Sequence, residues 1–325
     1  MQVGTTCWSV DRNKLQLAKD LSCKEIYSTV EWCNIHKAPD MYNWAQLDGE
    51  FRLEEEFGIK SIRCILHTPT WASGVDPKNC KFRATSYPPR TLEYYGRFNA
   101  ALVRRYPGRE WVLGGEIDNC WPREDPKVVQ WAGDTETYVK MAKYAYVEMK
   151  KADPKCVVGM SSLVSATLNG VFPTVVENGE PLSKISVFDK MLELEMGDFS
   201  DFIPLDLYCY GYGSQKNFVV GIRKIKEVMA KYHVKKPLYI VECGAKISHP
   251  GGKIAQTFHH EIVSEETQAG FLLHAYQKAC ENKIEKFFWH TLKDSDWGLV
   301  NRLGKRHLSW HIFKAILSGA MEESK

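Results

Sequence analysis

Eight alternations of a short apolar run with a longer stretch of helix-spaced apolar residues fill a chain of 325 residues, without a low-complexity linker or a break in composition. They predict a (β/α)8 TIM barrel, class α/β, as one domain over 1–325. Strand-then-helix order favours a parallel sheet with right-handed crossovers, and eight units are what closes such a sheet on itself. With 44% of residues apolar and 26% charged, there is enough material for a large core.

The first strand is expected near 2–8 (QVGTTCW) and its helix over 13–20. The second is 24–30 (KEIYSTV), followed by a helix over 44–57 that Gly58 stops. Next come 60–66 (KSIRCIL) with a helix over 91–106, and 110–115 (EWVLGG) with a helix over 134–152 that Asp153-Pro154 ends. The fifth and sixth strands are 156–161 (CVVGMS) and 202–208 (FIPLDLY), with helices over 186–195 and 216–233. The seventh is 237–242 (PLYIVE). In its helix, 264–283, Ser264 offers an N-cap oxygen, and Glu265 and Glu266 place acid in the first turn. The eighth is 284–290 (IEKFFWH), with a helix over 307–318. Segments 67–90 and 162–185 lack periodicity. Following strands three and five, they are expected over the mouth, where barrels bind ligands.

The 43 basic and 40 acidic residues leave a net charge of +3, too little for a nucleic-acid partner, which calls for clustered basic side chains. No apolar run approaches the roughly 18–20 residues needed to cross a bilayer, so no membrane partner is expected. Met1 to Thr6 lack the basic start and apolar middle of a secretion signal, which suggests a cytoplasmic protein, a secreted mature form being the alternative. The ten cysteines form no CxxC pair and no metal spacing, and reduced thiols are expected. His249, His259, His260 and Glu261 invite a metal, but metal-dependent hydrolytic barrels usually carry paired His on the first strand, and 3–8 has none. Gly251-Gly252-Lys253 lacks the rest of a phosphate loop. No metal and no cofactor are expected; the oligomeric state is left open.

In a barrel, chemistry sits where strands end. Two ends carry a carboxylate: Glu116 after WVLGG and Glu242 after PLYIV. An ionised Glu closing an apolar strand costs stability unless paired. Two of them, after strands four and seven, fit glycoside hydrolysis, in which one carboxyl protonates the leaving oxygen and the other attacks the sugar carbon or activates water.

These residues resemble the clan A retaining glycoside hydrolases, nearest to the β-xylosidase and α-iduronidase type and related glucanases, across about residues 24–318. The likeness rests on five passages in order: 43–71 (YNWAQLDGEFRLEEEFGIKSIRCILHTPTWA), 94–119 (YYGRFNAALVRRYPGREWVLGGEIDN), Lys151 to Gly159, Lys236 to Gly244, and Gln268 to Leu299. It implies Glu116 as acid/base, Glu242 as nucleophile, and Tyr208 as the tyrosine that hydrogen-bonds the nucleophile. Glu116 is then expected to keep its proton in apolar surroundings beside a negative charge, while hydrogen-bond donors hold Glu242 ionised.

Three positions depart from the family pattern. Gly115 replaces the Asn before the acid/base, Asp206 a His on strand six, and Tyr27 an Arg on strand two. The missing Asn normally donates to the sugar 2-hydroxyl, a contact that strengthens at the transition state. Its loss implies a substrate altered at that position, a substitute donor such as Asn119, or a barrel that binds sugar without cleaving it. Indole faces stack on pyranose C–H faces. Trp32, Trp71, Trp121, Trp289 and Trp297 fall at or just after strand ends, and Trp289 resembles the strand-eight platform. His67, His290, Asp294 and Asp296 are candidates for binding hydroxyls at the rim, and Arg63, Arg90 and Arg123 for greeting an acidic sugar.

The reading is a retaining glycosidase acting on β-linked or equivalent equatorial glycosides. Its rivals are a silent carbohydrate-binding barrel and a lyase or aldolase. A Schiff-base lysine is poorly placed, because Lys246 and Lys293 fall beyond the strand ends.

Overall fold

The computed structural model describes residues 1–118, 129–164, 176–177, 180–181, 185–208, 216–247, 262–294 and 296–320. Among them the strands β1 (Gln2–Thr6), β2 (Glu25–Glu31), β3 (Lys60–Leu66) and β4 (Glu110–Val112) alternate with helices α1 (Arg12–Asp20), α2 (Ala45–Phe57), α3 (Glu93–Arg105) and α4 (Thr135–Ala152). Then come β5, in two pieces (Val157–Gly159 and Leu163–Val164), β6 (Ile203–Asp206), β7 (Leu238–Cys243) and β8 (Lys286–Trp289). Their helices are α5 (Ile185–Glu193), α6 (Lys216–Lys231), α7 (Glu265–Glu281) and α8 (Leu308–Leu317). Caps are where the sequence puts them: Gly58 is left-handed at φ +66° after α2, and Ser264 accepts from Thr267 N at the start of α7.

All eight strands run parallel, and the sheet closes through β5. Its first piece pairs with β4 and its second with β6, and Gly159 also bridges to Phe202. The fold is a TIM barrel. Tyr27, Ile62, Cys64, Val112, Phe202, Tyr239, Val241 and Phe288 fill the lumen. The intervening residues, among them Ile26, Trp111, Val158, Ile203, Ile240 and Phe287, pack beneath the helices. This period-2 split is what a barrel strand requires. Gly159 makes room in the lumen, since a Cβ there would lie 2.6 Å from the Phe202 ring. The bottom is plugged by Lys286, whose Nζ reaches Glu25 Oε1 at 2.5 Å and Glu110 Oε1 at 2.7 Å.

Strand parity also locates the arginines. Arg63 points outward from β3 and is fully buried against α2, held by Glu54, by Glu50 Oε2 at 2.7 Å and by Ser28 Oγ at 3.2 Å. It is a structural ion pair and does not greet a sugar. Arg90 donates to Trp71 O, and Arg123 lies outside the described residues. Eight cysteines are described, and no disulfide joins two of them; Cys7, Cys23, Cys64, Cys156 and Cys243 are buried, whereas Cys280 is exposed. No described helix is long and apolar enough to cross a membrane.

Candidate active site

Strand irregularities aim the two glutamates. Between Ile240 and Glu242, β7 carries one residue more than β6, so Leu205 faces Ile240 while Asp206 faces Glu242. Simple alternation from lumen-facing Val241 would turn Glu242 toward the helices. The bulge turns it back to the lumen. At the end of β4, Gly114 takes φ +90° and Glu116 φ +51°, a left-handed backbone uncommon outside glycine. Glu116 N donates to Ser162 O at 2.9 Å and Ser162 N to Gly114 O at 3.3 Å, which ties this kink to the break in β5.

Glu116 and Glu242 thereby line one cavity of about 140 Å³ on the C-terminal face, together with Asp206. Trp8, Tyr27 and Gln130 form other parts of its wall, and Gly115, Cys64, Leu66 and Ser162 the rest. Tyr208 donates its phenolic hydrogen to Glu242 Oε2. His290 Nδ1 lies 3.7 Å from the same oxygen and 3.0 Å from Thr6 Oγ1. Asp206 Oδ2 accepts from Ser162 Oγ at 2.5 Å, and its Oδ1 has no hydrogen-bond partner among the described residues.

The environments differ from the sequence expectation. Glu242 is 6% exposed and Glu116 half-buried, so the apolar surroundings enclose the carboxyl expected to be ionised. The bulge sinks Glu242 into the lumen top, while the kink leaves Glu116 nearer the rim. Burial first, and then the Glu116 charge, push the Glu242 carboxyl well above the usual range, against the Tyr208 hydrogen bond. Burial, with the Glu242 and Glu116 charges behind it, raises Asp206 in the same direction, and Ser162 opposes it. Burial and the neighbouring carboxylates likewise raise the Tyr208 phenol, which keeps its proton to donate.

The remaining expected residues divide. His67, at φ +61° beyond β3, reaches Glu31 Oε2 with Nδ1 at 2.6 Å. Its Nε2 lies 3.1 Å from both Arg83 Nη2 and Gln130 Oε1, so it buttresses the cavity wall through Gln130. Trp289 is a correction. Phe288 faces the lumen, so Trp289 faces outward, fully buried against Phe271 of α7, and offers no platform to a sugar. Trp32 follows the same parity and packs on Tyr95 and Phe98. Trp71 donates Nε1 to His36 O and stands edge-on to Tyr94, apart from the cavity wall. Asp294 lies 3.5 Å from Arg302 Nη2, and Asp296 3.5 Å from Lys246 Nζ, also outside that wall. Trp297 stands edge-on to Tyr208 and His290. Asn119 and Trp121 lie outside the described residues, as do His249, His259, His260 and Glu261. No cluster of metal-ligating side chains occurs among the described residues.

Sequence reasoning passed over Trp8, Gln130 and Ser162. Trp8 was findable: Gly4, Thr6 and Trp8 share the lumen-facing parity of β1, and the indole is 42% exposed.

No family model and no curated protein matches the chain. Solved structures do. A family 39 glycoside hydrolase from the gut symbiont Bacteroides cellulosilyticus WH2 aligns with TM-score 0.67 and 14% identity over 99% of this chain and 64% of its own. A glucosidase from Croceicoccus marinus aligns with TM-score 0.67 and 14% identity, over 97% and 66%. Xylanase 10B from Thermotoga maritima aligns with TM-score 0.66 and 16% identity, over 99% and 96%. The shared feature is the barrel fold. This chain spans just under two thirds of the first two proteins, at 64% and 66% of their lengths.

Proposed function

We propose that this protein is a retaining glycoside hydrolase, with Glu242 as nucleophile and Glu116 as acid/base. The observation that carries the reading is the convergence of Glu116 and Glu242, from segments 126 positions apart (242 − 116), on one cavity at the C-terminal face of the barrel. Tyr208, bonded to Glu242, supports the division of roles: its O–H stabilises the ionised form of the residue that must attack.

In the first step the Glu242 carboxylate attacks the anomeric carbon while Glu116 passes its proton to the departing glycosidic oxygen. A covalent glycosyl-enzyme results. Glu116, now ionised, takes a proton from water, the hydroxide displaces Glu242, and both residues return to their starting states. Gly115 presents no side chain over the cavity, so substrates altered at the sugar 2-position are tolerated.

The test is a panel of aryl β-glycosides. Hydrolysis that disappears in Glu116→Ala and in Glu242→Ala, with azide restoring products of opposite anomeric form in the two variants, supports the reading. Sugar binding with no turnover of any glycoside overturns it in favour of a binding barrel. A substrate adduct trapped on a lysine by borohydride overturns it in favour of a lyase or aldolase.

A further inference from the structure

Resting on the glycosidase reading, we propose that the cavity selects a glycone bearing a primary ammonium group, an amino sugar without its N-acetyl cap, with Asp206 as the counter-ion. The wall carries three carboxyl groups, Glu116, Asp206 and Glu242, and no described Lys or Arg lines it. A double displacement assigns work to two of the three. The third, Asp206, is 1% exposed and stands in register beside Glu242 on the neighbouring strand.

One oxygen of Asp206 takes the Ser162 hydroxyl hydrogen; the other, Oδ1, has no partner among the described residues. A buried carboxyl group left half-unpaired beside a second one is costly, and a ligand that brings positive charge to the cavity offsets their mutual repulsion. The rest of the wall suits such a ligand. Trp8 and Tyr27 bring aromatic rings to the cavity, and aromatic rings attract ammonium groups. Gly115 places bare backbone beside Ser162, since a Cβ on Gly115 would lie 3.7 Å from Ser162 Oγ, the atom that bonds Asp206. A neutral sugar offers Asp206 no countercharge, and an anionic sugar adds negative charge to a wall already lined by three carboxyl groups.

The experiment compares 4-nitrophenyl 2-amino-2-deoxy-β-glucoside with 4-nitrophenyl β-glucoside and with the N-acetylated glucoside, on the wild-type protein and on Asp206→Asn. In parallel, calorimetry measures the binding of free glucosamine and free glucose. The expected result is a kcat/KM at least tenfold higher for the amine, carried mainly by KM, with glucosamine binding more tightly than glucose. In Asp206→Asn that ratio falls toward one, and Ser162→Ala lowers it partway. Equal or better use of the neutral glucoside by wild type overturns the proposal, as does a preference that survives Asp206→Asn. Tight binding of a neutral-pH cationic iminosugar, without any preference for the amino glycoside, also overturns it, because the acidic wall then serves only the charge of the transition state. If no glycoside is cleaved, the glycosidase reading fails while the calorimetric comparison still decides whether the cavity takes a cation.

Discussion

Asp206 and Glu242 are Cα partners on the adjacent parallel strands β6 and β7, and the extra residue in β7 brings both carboxyl groups to one cavity. Like charges directly opposite each other in a sheet are destabilising, and here burial removes most of the water that would screen them. The fold therefore holds protons that the unfolded chain releases. Both groups titrate above the usual carboxylate range when folded, so their contribution to stability is complete below the unfolded carboxyl pKa near ~4 and is lost as pH climbs through the raised folded values. Asp206→Asn removes one of them. Relative to wild type it gains stability as pH rises from 4 to 8, by about 0.5–2 kcal/mol at the upper end. Thermal melts of both proteins across that range check it; a difference that does not change with pH contradicts the linkage.

Tyr208→Phe deletes a hydrogen bond that lowers the Glu242 pKa, against the raising influences of burial and Glu116. The acid limb of kcat/KM against pH is expected to move to higher pH. A hydrogen bond to a charged group contributes about 1.5–3 kcal/mol, so activity at neutral pH falls roughly tenfold to a hundredfold. A uniform loss of activity with an unmoved acid limb argues that the phenol only packs.

The barrel was legible because its signal is repeated. Each of the eight strands and helices shows its own periodicity, and caps such as Ser264 and stops such as Gly58 mark the boundaries. The placement of Glu116 and Glu242 at strand ends was equally legible. What their ends do was not. The bulge at β7 depends on pairing with two neighbours, and the φ +51° of Glu116 depends on the tie to Ser162; neither is a local property of PLYIVE or WVLGGE. That is why the apolar surroundings expected for Glu116 enclose Glu242 more closely, while the expected donor to Glu242, Tyr208, is in place. Trp289 failed for a simpler reason: with Phe288 in the lumen, parity alone sends the next residue outward.

Gly115→Asn tests whether the cavity has room for the missing side chain. A Cβ at this position meets Cys64 Sγ at 3.2 Å and Leu66 Cδ2 at 3.3 Å, both tighter than ordinary contact. The neighbours must give way, at a cost of about 1–3 kcal/mol in stability, and the rest of the side chain intrudes on a cavity of about 140 Å³. Lower thermal stability and at least tenfold lower kcat/KM are expected. A large gain in turnover of ordinary glycosides contradicts the view that the 2-position is read without a side chain here, as does a strong wild-type preference for a free 2-hydroxyl.

Trp8 and Trp289 make a matched pair, because the sequence favours one and the geometry the other. Trp8 lines the cavity with 42% of its surface exposed, touching Tyr27 and His290 edge-on at 6.3 and 5.6 Å between ring centres. Removing it opens little core, so Trp8→Ala is expected to leave the melting temperature nearly unchanged and to raise KM about tenfold, since aromatic contacts contribute on the order of 1 kcal/mol beyond simple burial. Trp289 is fully buried under α7, with Nε1 unbonded among the described residues, so Trp289→Phe loses no described hydrogen bond but leaves a void. It is expected to lower stability by roughly 1–3 kcal/mol with KM unchanged. Kinetics and melts on the two variants separate the roles, and a rise in KM confined to Trp289→Phe restores the platform to strand eight.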